Sequence, residues 1–267
     1  MNKEYKILDK GFVRLIDHMG SDDSICEAAR VSYAANNKKR TEDSNEKLIN
    51  YLMCNEHTSP FEMAEVIFHV KLPIFVARQW IRHRTGSFNE VSGRYTELTD
   101  FHCPDEIREQ SRDNKQGSSG EISQYDFKFE EYNRNAFDDY SDMVSGGVAK
   151  EQARIVLPLS TFTEWYWKTD LHNLFHFLKL RMHHHAQKEI REYANCIAGI
   201  VSELYPLSYG AFLDYKLNAI KLSHKEVLAI SRLKDMDEHG NIVLDMDMLS
   251  DREKNELEYK LLILGLN

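Results

Sequence analysis

Hydrophobic positions follow two different periods along this chain. In AEVIFHVKL, Val66, Phe68 and Val70 alternate with Ile67, His69 and Lys71, the period of two expected of a half-buried strand. GFVRLIDHMG reads as a second strand. STFTEWYWKT, rich in β-branched and aromatic residues, reads as a third. Elsewhere the spacing is helical. Ile25, Ala28 and Ala29 follow Ser21, a candidate N-cap. Leu48, Ile49, Leu52 and Met53 mark an amphipathic helix after the polar stretch Asn36 to Asn45, in which Asp43 and Glu46 offer a capping pair. Asp170 caps a helix whose apolar stripe is Leu171, Leu174, Phe175, Leu178 and Met182, leaving His172, His176 and Lys179 on another side. Ile190, Ala194, Ile197, Val201 and Leu204 mark a long helix that ends at Pro206.

The stretch after AEVIFHVKL carries the most chemistry. Pro73 suits the first turn of a helix that buries Ala77, Trp80 and Ile81. Arg78, Gln79, Arg82 and His83 then share one face, and Gly86 ends the helix. SFNEVSGRYTEL follows as a polar loop. VAKEQARIVL reads as a helix stopping near Pro158. A polar insertion at about 104–142 reads as mobile in part and apart from catalysis. Residues 218–267 read as a charged extension with an apolar end, Leu261 to Leu266, folded as a hairpin or helix.

Composition narrows the classes. With 267 residues, 42% of them hydrophobic and 11% aromatic, the chain can bury a sizeable core. Twelve Gly and five Pro exclude collagen-like and low-complexity chains. There is no run of 18 apolar residues for a membrane span and no secretory pattern at the start. Cys26, Cys54, Cys103 and Cys196 form no C-x-x-C pair, which fits thiols in a reducing cytoplasm. The net charge of −9 argues against a nucleic-acid coat. Its distribution is uneven: Lys71 to Tyr95 carries five bases and one acid, Asp100 to Asp142 twelve acids and five bases. A basic cluster in an acidic protein suits a small anion.

Arg82, His83 and Arg84 stand close to Ser87, Asn89, Glu90, Ser92 and Arg94. Guanidinium forks match phosphate oxygens, and serine hydroxyls add neutral donors. The same cluster also suits ion pairs with acids of the insertion. Neither G-x-x-x-x-G-K-[ST] nor G-x-G-x-x-G occurs, so any nucleotide must be held largely by side chains. His172 and His176, with His183, His184 and His185, raise a metal-hydrolase reading. No H-E-x-x-H occurs, and three consecutive histidines cannot all point inward from one helix. Helix-end and surface histidines are the better reading, and no metal is assigned. A non-catalytic nucleotide- or RNA-binding module stacking bases on Trp80, Phe88 and Tyr95 is disfavoured by the net charge.

Arg82-His83-Arg84, seven residues, then Ser92 is the RHR-x7-S signature of flavin-dependent thymidylate synthases. The wider string RQWIRHRTGSFNEVSGRY resembles that family, as do HTSPFE at residues 57–62, EQARIVLP at 151–158 and LFHFLKLR at 174–181. These blocks lie in order between about Asp9 and Tyr215, so the resemblance implies one domain over residues 1–217 and leaves 218–267 as an extension. The resemblance implies an α+β fold, a mixed sheet flanked by helices and non-Rossmann, in a homotetramer whose active sites lie at subunit interfaces. It implies FAD, reduction by NADPH, methylenetetrahydrofolate as carbon donor, and dUMP as acceptor giving dTMP, with no nucleic-acid or membrane partner.

Residue by residue, Arg82, His83 and Arg84 match the flavin triplet, Arg82 also lying near the nucleotide. Ser59 and Glu62 fall in a block that approaches flavin. Gln79, Glu90, Val91, Ser92, Gly93 and Arg94 resemble dUMP-binding positions, Glu90 serving the cofactor as well. Arg154 resembles another dUMP contact. Arg181 matches the arginine that lies against the pyrimidine and favours its activated form. Asp170, Leu171, His172 and His176 occupy flavin-facing positions, with a donor pattern that departs from the family's usual Asn and Arg. No cysteine stands in these blocks to attack the pyrimidine.

Overall fold

A computed structural model describes residues 3–32, 42–112, 117–231, 235–236 and 242–266. The chain divides into two compact units, Met1–Leu217 and Asn218–Asn267. The first begins with strands β1 (Glu4–Ile7) and β2 (Gly11–Met19), then helices α1 (Asp22–Val31), α2 (Glu42–Cys54) and α3 (Ser59–Glu62). Strand β3 (Glu65–Pro73), helix α4 (Ile74–Trp80) and strand β4 (Ser87–Glu90) follow. The insertion holds β5 (Arg108–Gln110), β6 (Ser118–Ile122) and most of helix α5 (Phe129–Ser145). Helix α6 (Lys150–Ala153), β7 (Phe162–Asp170), α7 (Leu171–Arg181), α8 (Lys188–Leu204) and α9 (Pro206–Phe212) complete this unit's main elements.

Five strands form one sheet in the order β1-β2-β3-β7-β4. Every pairing is antiparallel, so the expected mixed sheet is corrected to an antiparallel one. In register, Val66, Phe68, Val70 and Leu72 face Thr169, Trp167, Trp165 and Thr163. All eight are buried, because paired residues project from the same side of the sheet. Helices α7 and α8 add Leu171, Leu174, Phe177, Leu178, Ile190, Tyr193 and Ile197 to that core. Trp80 is its hub, with ring centroids 4.6 Å from Phe177, 5.1 Å from Trp167 and 5.8 Å from Trp165.

The caps at Ser21 and Asp170 form as the sequence predicts: Ser21 Oγ accepts from the Ser24 N–H, and Asp170 accepts from the Asn173 N–H at 2.9 Å. Asp43 instead lies inside α2 and pairs with Lys47; residues 36–41 lie outside the described residues. Pro73 closes β3 and is the N-cap of α4. That helix stops at Trp80, leaving Ile81 exposed, and the His83 N–H donates to the Trp80 carbonyl in a tight turn. Gly86 therefore does not end the helix. A Cβ there would sit 2.9 Å from the Lys168 carbonyl and from Trp167 Nε1, so its lack of a side chain lets the chain press against β7.

Ser87–Glu90 is an edge strand and not a loop: Phe88 packs on Trp165 and Trp167 while its neighbours stay exposed. The 148–157 helix shrinks to α6 followed by a 3-10 turn, Arg154–Val156. The insertion is anchored by polar groups. Arg108 pairs with the buried Glu189 of α8 at 2.6 Å, and the buried Asn133 accepts from the Ser160 hydroxyl and donates to the His102 carbonyl. Burial pushes the Glu189 carboxyl up, but Arg108 outweighs it and holds the carboxyl below its ordinary range.

The second unit comprises α10 (His224–Ser231), β8 (Asp235–Met236), β9 (Ile242–Val243) and α11 (Asp251–Leu264), both a hairpin and helices. Ala229, Leu249, Leu257 and Leu261 form its small core. Of the apolar end only Leu261 is buried; Leu262, Ile263, Leu264 and Leu266 are exposed.

Candidate functional site

The arginine-rich segment and the end of α7 meet although they lie about a hundred residues apart. The Arg181 Nε–H donates to His83 Nε2 at 3.0 Å, and its Nη2 donates to the Gln79 carbonyl at 3.2 Å. Gln79 bonds through its own carboxamide to Gln187 at 2.5 Å, just ahead of α8. The His83 ring lies 5.7 Å from His176 and 5.1 Å from Phe177, centroid to centroid. Burial, then the Arg181 and His176 charges, push the His83 imidazole down to about 4. His83 is thus neutral near pH 7 and offers the lone pair that Arg181 needs. Burial also lowers the Arg181 pKa, yet a guanidinium remains charged in proteins. The product is a partly desolvated cation held in a fixed plane.

A second group lies around the β4 edge. The Thr163 hydroxyl donates to a Glu90 carboxylate oxygen at 2.5 Å, and the Val91 N–H donates to the Glu164 carbonyl at 2.8 Å. The chain then turns: the Tyr95 and Thr96 N–H groups donate to the Ser92 carbonyl, and the Arg94 N–H donates to Ser92 Oγ at 3.3 Å. Gly93 is buried in this turn, and a Cβ on it would lie 3.4 Å from Arg154 Cδ. Arg154 therefore stands beside the turn. Arg94 is exposed and pairs with Glu151 at 3.4 Å. Among the described residues, Arg82, Arg84 and Arg154 make no ion pair, and no hydrogen bond or ion pair joins the two groups.

The remaining sequence candidates sit at the start of α7. Asp170 spends its carboxylate on the cap and on the Asn173 amide, while the Leu171 N–H donates to the Ala64 carbonyl and its side chain is buried. His172 is half-buried and His176 exposed. Helix α3, which carries the exposed Ser59 and Glu62, packs against α7. Gln187, Thr163 and Glu151 are polar partners that sequence reasoning missed. Each lies far along the chain from the residue it holds, so no local spacing announces it. The His183–His185 segment is a turn and not a helix end.

The exposed guanidiniums of Arg94 and Arg154 beside the Ser92 turn are candidates for holding an anion with side chains alone. Their setting is an antiparallel α+β sheet, without a glycine-rich phosphate loop. That sets the fold apart from the Rossmann and P-loop groups. Comparison with known proteins narrows it further. Residues 14–207 match the family model described as thymidylate synthase complementing protein. The chain is 50% identical over 242 residues to the flavin-dependent thymidylate synthase of Treponema denticola, covering 87% of this chain and 90% of that one. It is 48% identical over 255 residues to the one from Thermus thermophilus, covering 94% of each. A crystal structure of the UMP/dUMP methylase PolB from Streptomyces cacaoi, bound with 5-Br dUMP, superposes with a TM-score of 0.68 at 32% identity; it covers 80% of this chain and 99% of that one. The chain belongs to the flavin-dependent thymidylate synthase family.

Proposed function

We propose that this enzyme converts dUMP to dTMP, with methylenetetrahydrofolate as carbon donor and FAD reduced by NADPH as hydride source. The balance is dUMP, methylenetetrahydrofolate, NADPH and a proton giving dTMP, tetrahydrofolate and NADP+. The observation that carries the reading is the meeting of Arg181 with Gln79 and His83, which joins the RHR signature to the end of α7. The relatives' names and the bromo-dUMP complex of PolB support it.

The residues divide the work. The Ser92 hydroxyl, the Gly93 N–H and the guanidiniums of Arg94 and Arg154 grip the nucleotide phosphate. Gln79, Arg82, Glu90 and Val91 border the nucleoside. Arg181 stabilises negative charge on uracil N3 and O2 as C5 becomes nucleophilic. It is an electrostatic group and no general base, since it keeps its proton throughout. His83 fixes the plane of that guanidinium. The exposed Arg82 and Arg84 fit the anionic part of FAD; Ser59, His83, Glu90, Asp170, Leu171, His172 and His176 complete the residues that would hold it. Bound flavin supplies the hydride that completes the methyl group.

No described helix is long and apolar enough to cross a membrane. We read the chain as a cytoplasmic homotetramer with shared active sites, as its resemblance to the family implies. The deciding assay combines purified protein, FAD, NADPH, methylenetetrahydrofolate and dUMP and measures dTMP. Absence of dTMP from folded, flavin-loaded enzyme rejects the activity. The shared site has its own test. Mixing Arg181→Ala with Arg94→Ala protein, dissociating and reassembling, restores turnover if the two groups meet across subunits. No recovery from confirmed mixed assemblies rejects it.

A further inference from the structure

Between α7 and α8 the chain makes a tight turn, closed by the Ala186 N–H donating to the His183 carbonyl at 2.8 Å. On a helix three consecutive side chains point about 100° apart, which separates their ligand atoms. In this turn they converge. The ring centroids of His183 and His184 lie 4.3 Å apart, those of His184 and His185 4.0 Å, and those of His183 and His185 4.9 Å. One ring nitrogen from each falls within 4.8 Å of the other two, and all three residues are exposed.

We propose that His183, His184 and His185 form a surface site for a divalent transition metal of the zinc, nickel or copper type. Imidazole nitrogen selects these borderline metals over magnesium or calcium, which prefer oxygen. A zinc ion with bonds of about 2.0–2.1 Å needs its nitrogens about 3.3 Å apart in a tetrahedron. All three side chains are exposed, and the observed spread exceeds that spacing by no more than about 1.5 Å. The His185 N–H now donates to His183 Nδ1 at 3.2 Å, a weak contact that coordination at that nitrogen replaces. Among the described residues the group contains no carboxylate or thiolate, so three protein ligands leave the remaining positions to water. The site is also placed to affect its surroundings. Arg181 stands two residues before it and Gln187 two residues after, and both bond to Gln79. A bound metal therefore staples the turn that carries two supports of Gln79.

The test uses untagged full-length protein and zinc alone, titrated against a chromogenic chelator. The expected result is one zinc per chain. It should weaken by at least about tenfold in His183→Asn/His184→Asn protein with unchanged circular dichroism. The imidazole NMR signals of residues 183–185 should shift on zinc addition in wild type. Equal zinc affinity in the double variant, no zinc uptake by wild type, or shifts confined to other histidines would each overturn the proposal. A His184→Asn single variant repeats the measurement should the double variant lose its fold.

Discussion

The two arginine groups of this molecule solve opposite problems. Arg181 is half-buried and already bonded to a ring nitrogen and a backbone carbonyl. Arg94 and Arg154 are exposed, one loosely paired and the other unpaired among the described residues. The first arrangement fixes a cation in a poorly screened environment before any ligand arrives, which on the proposed function leaves little reorganisation for the reaction. The second leaves charges exposed and, on the proposed function, open to an incoming phosphate, at the cost of strong screening by salt. Pre-organisation suits charge that develops during a reaction. Accessibility suits charge that the ligand already carries.

Removing the buried cation tests this contrast most severely. Arg181→Ala should lower kcat by about 100- to 1,000-fold, the range seen when one transition-state donor is lost. FAD retention, read from the visible absorption spectrum, should persist. Unchanged turnover would remove Arg181 from the chemistry. Arg94→Ala should behave differently, raising the Kd for dUMP by about tenfold, or about 1.4 kcal/mol, with a smaller change in kcat. The loss should shrink as salt is raised. An unaltered Kd at low salt would take Arg94 out of the phosphate grip.

The same contrast governs what the sequence reveals. Strands β3 and β7 were legible because alternation of Val66, Phe68 and Val70, and the run from Trp165 to Trp167, encode a buried face directly. The caps at Ser21 and Asp170 are local and were equally legible. Strand β4 was not, since an edge strand buries only one side chain in part, Phe88, and otherwise reads as polar. The early end of α4 was hidden too. The chain leaves the helix there through the turn in which the His83 N–H donates to the Trp80 carbonyl, and no local pattern announces that turn. The exposed arginines announced themselves by type and spacing. The partners that set the buried one, His83 across 98 residues and Gln187 behind Gln79 across 108, are long-range contacts that no local pattern encodes.

His83 gives the buried group a pH signature. Its folded pKa of about 4 lies below the ordinary 6.5, so the unfolded chain binds the extra proton first. The contribution to stability is complete above about pH 6.5 and is lost as pH falls from there toward 4. His83→Gln keeps an acceptor for Arg181 but cannot titrate. Its urea midpoint should therefore fall less than wild type's between pH 6.5 and 4. Parallel curves would show that His83 is not held neutral by its surroundings.

The smallest effect is expected at the exposed group, where Glu151 competes with the ligand. Arg94 and Glu151 lie 3.4 Å apart with more than half of each side chain exposed, so the pair contributes at most about 1 kcal/mol. A phosphate must nevertheless displace this carboxylate and bind near its charge. Glu151→Gln removes both penalties and should tighten dUMP binding by about two- to threefold at low salt. The gain should fade as the screening length drops from about 10 Å at 0.1 M to about 3 Å at 1 M. It should also diminish in an Arg94→Ala background, because only the pairwise part depends on that guanidinium. Weaker binding in Glu151→Gln would reverse the argument: Glu151 would then hold Arg94 in place for the phosphate, and the exposed group would be pre-organised after all.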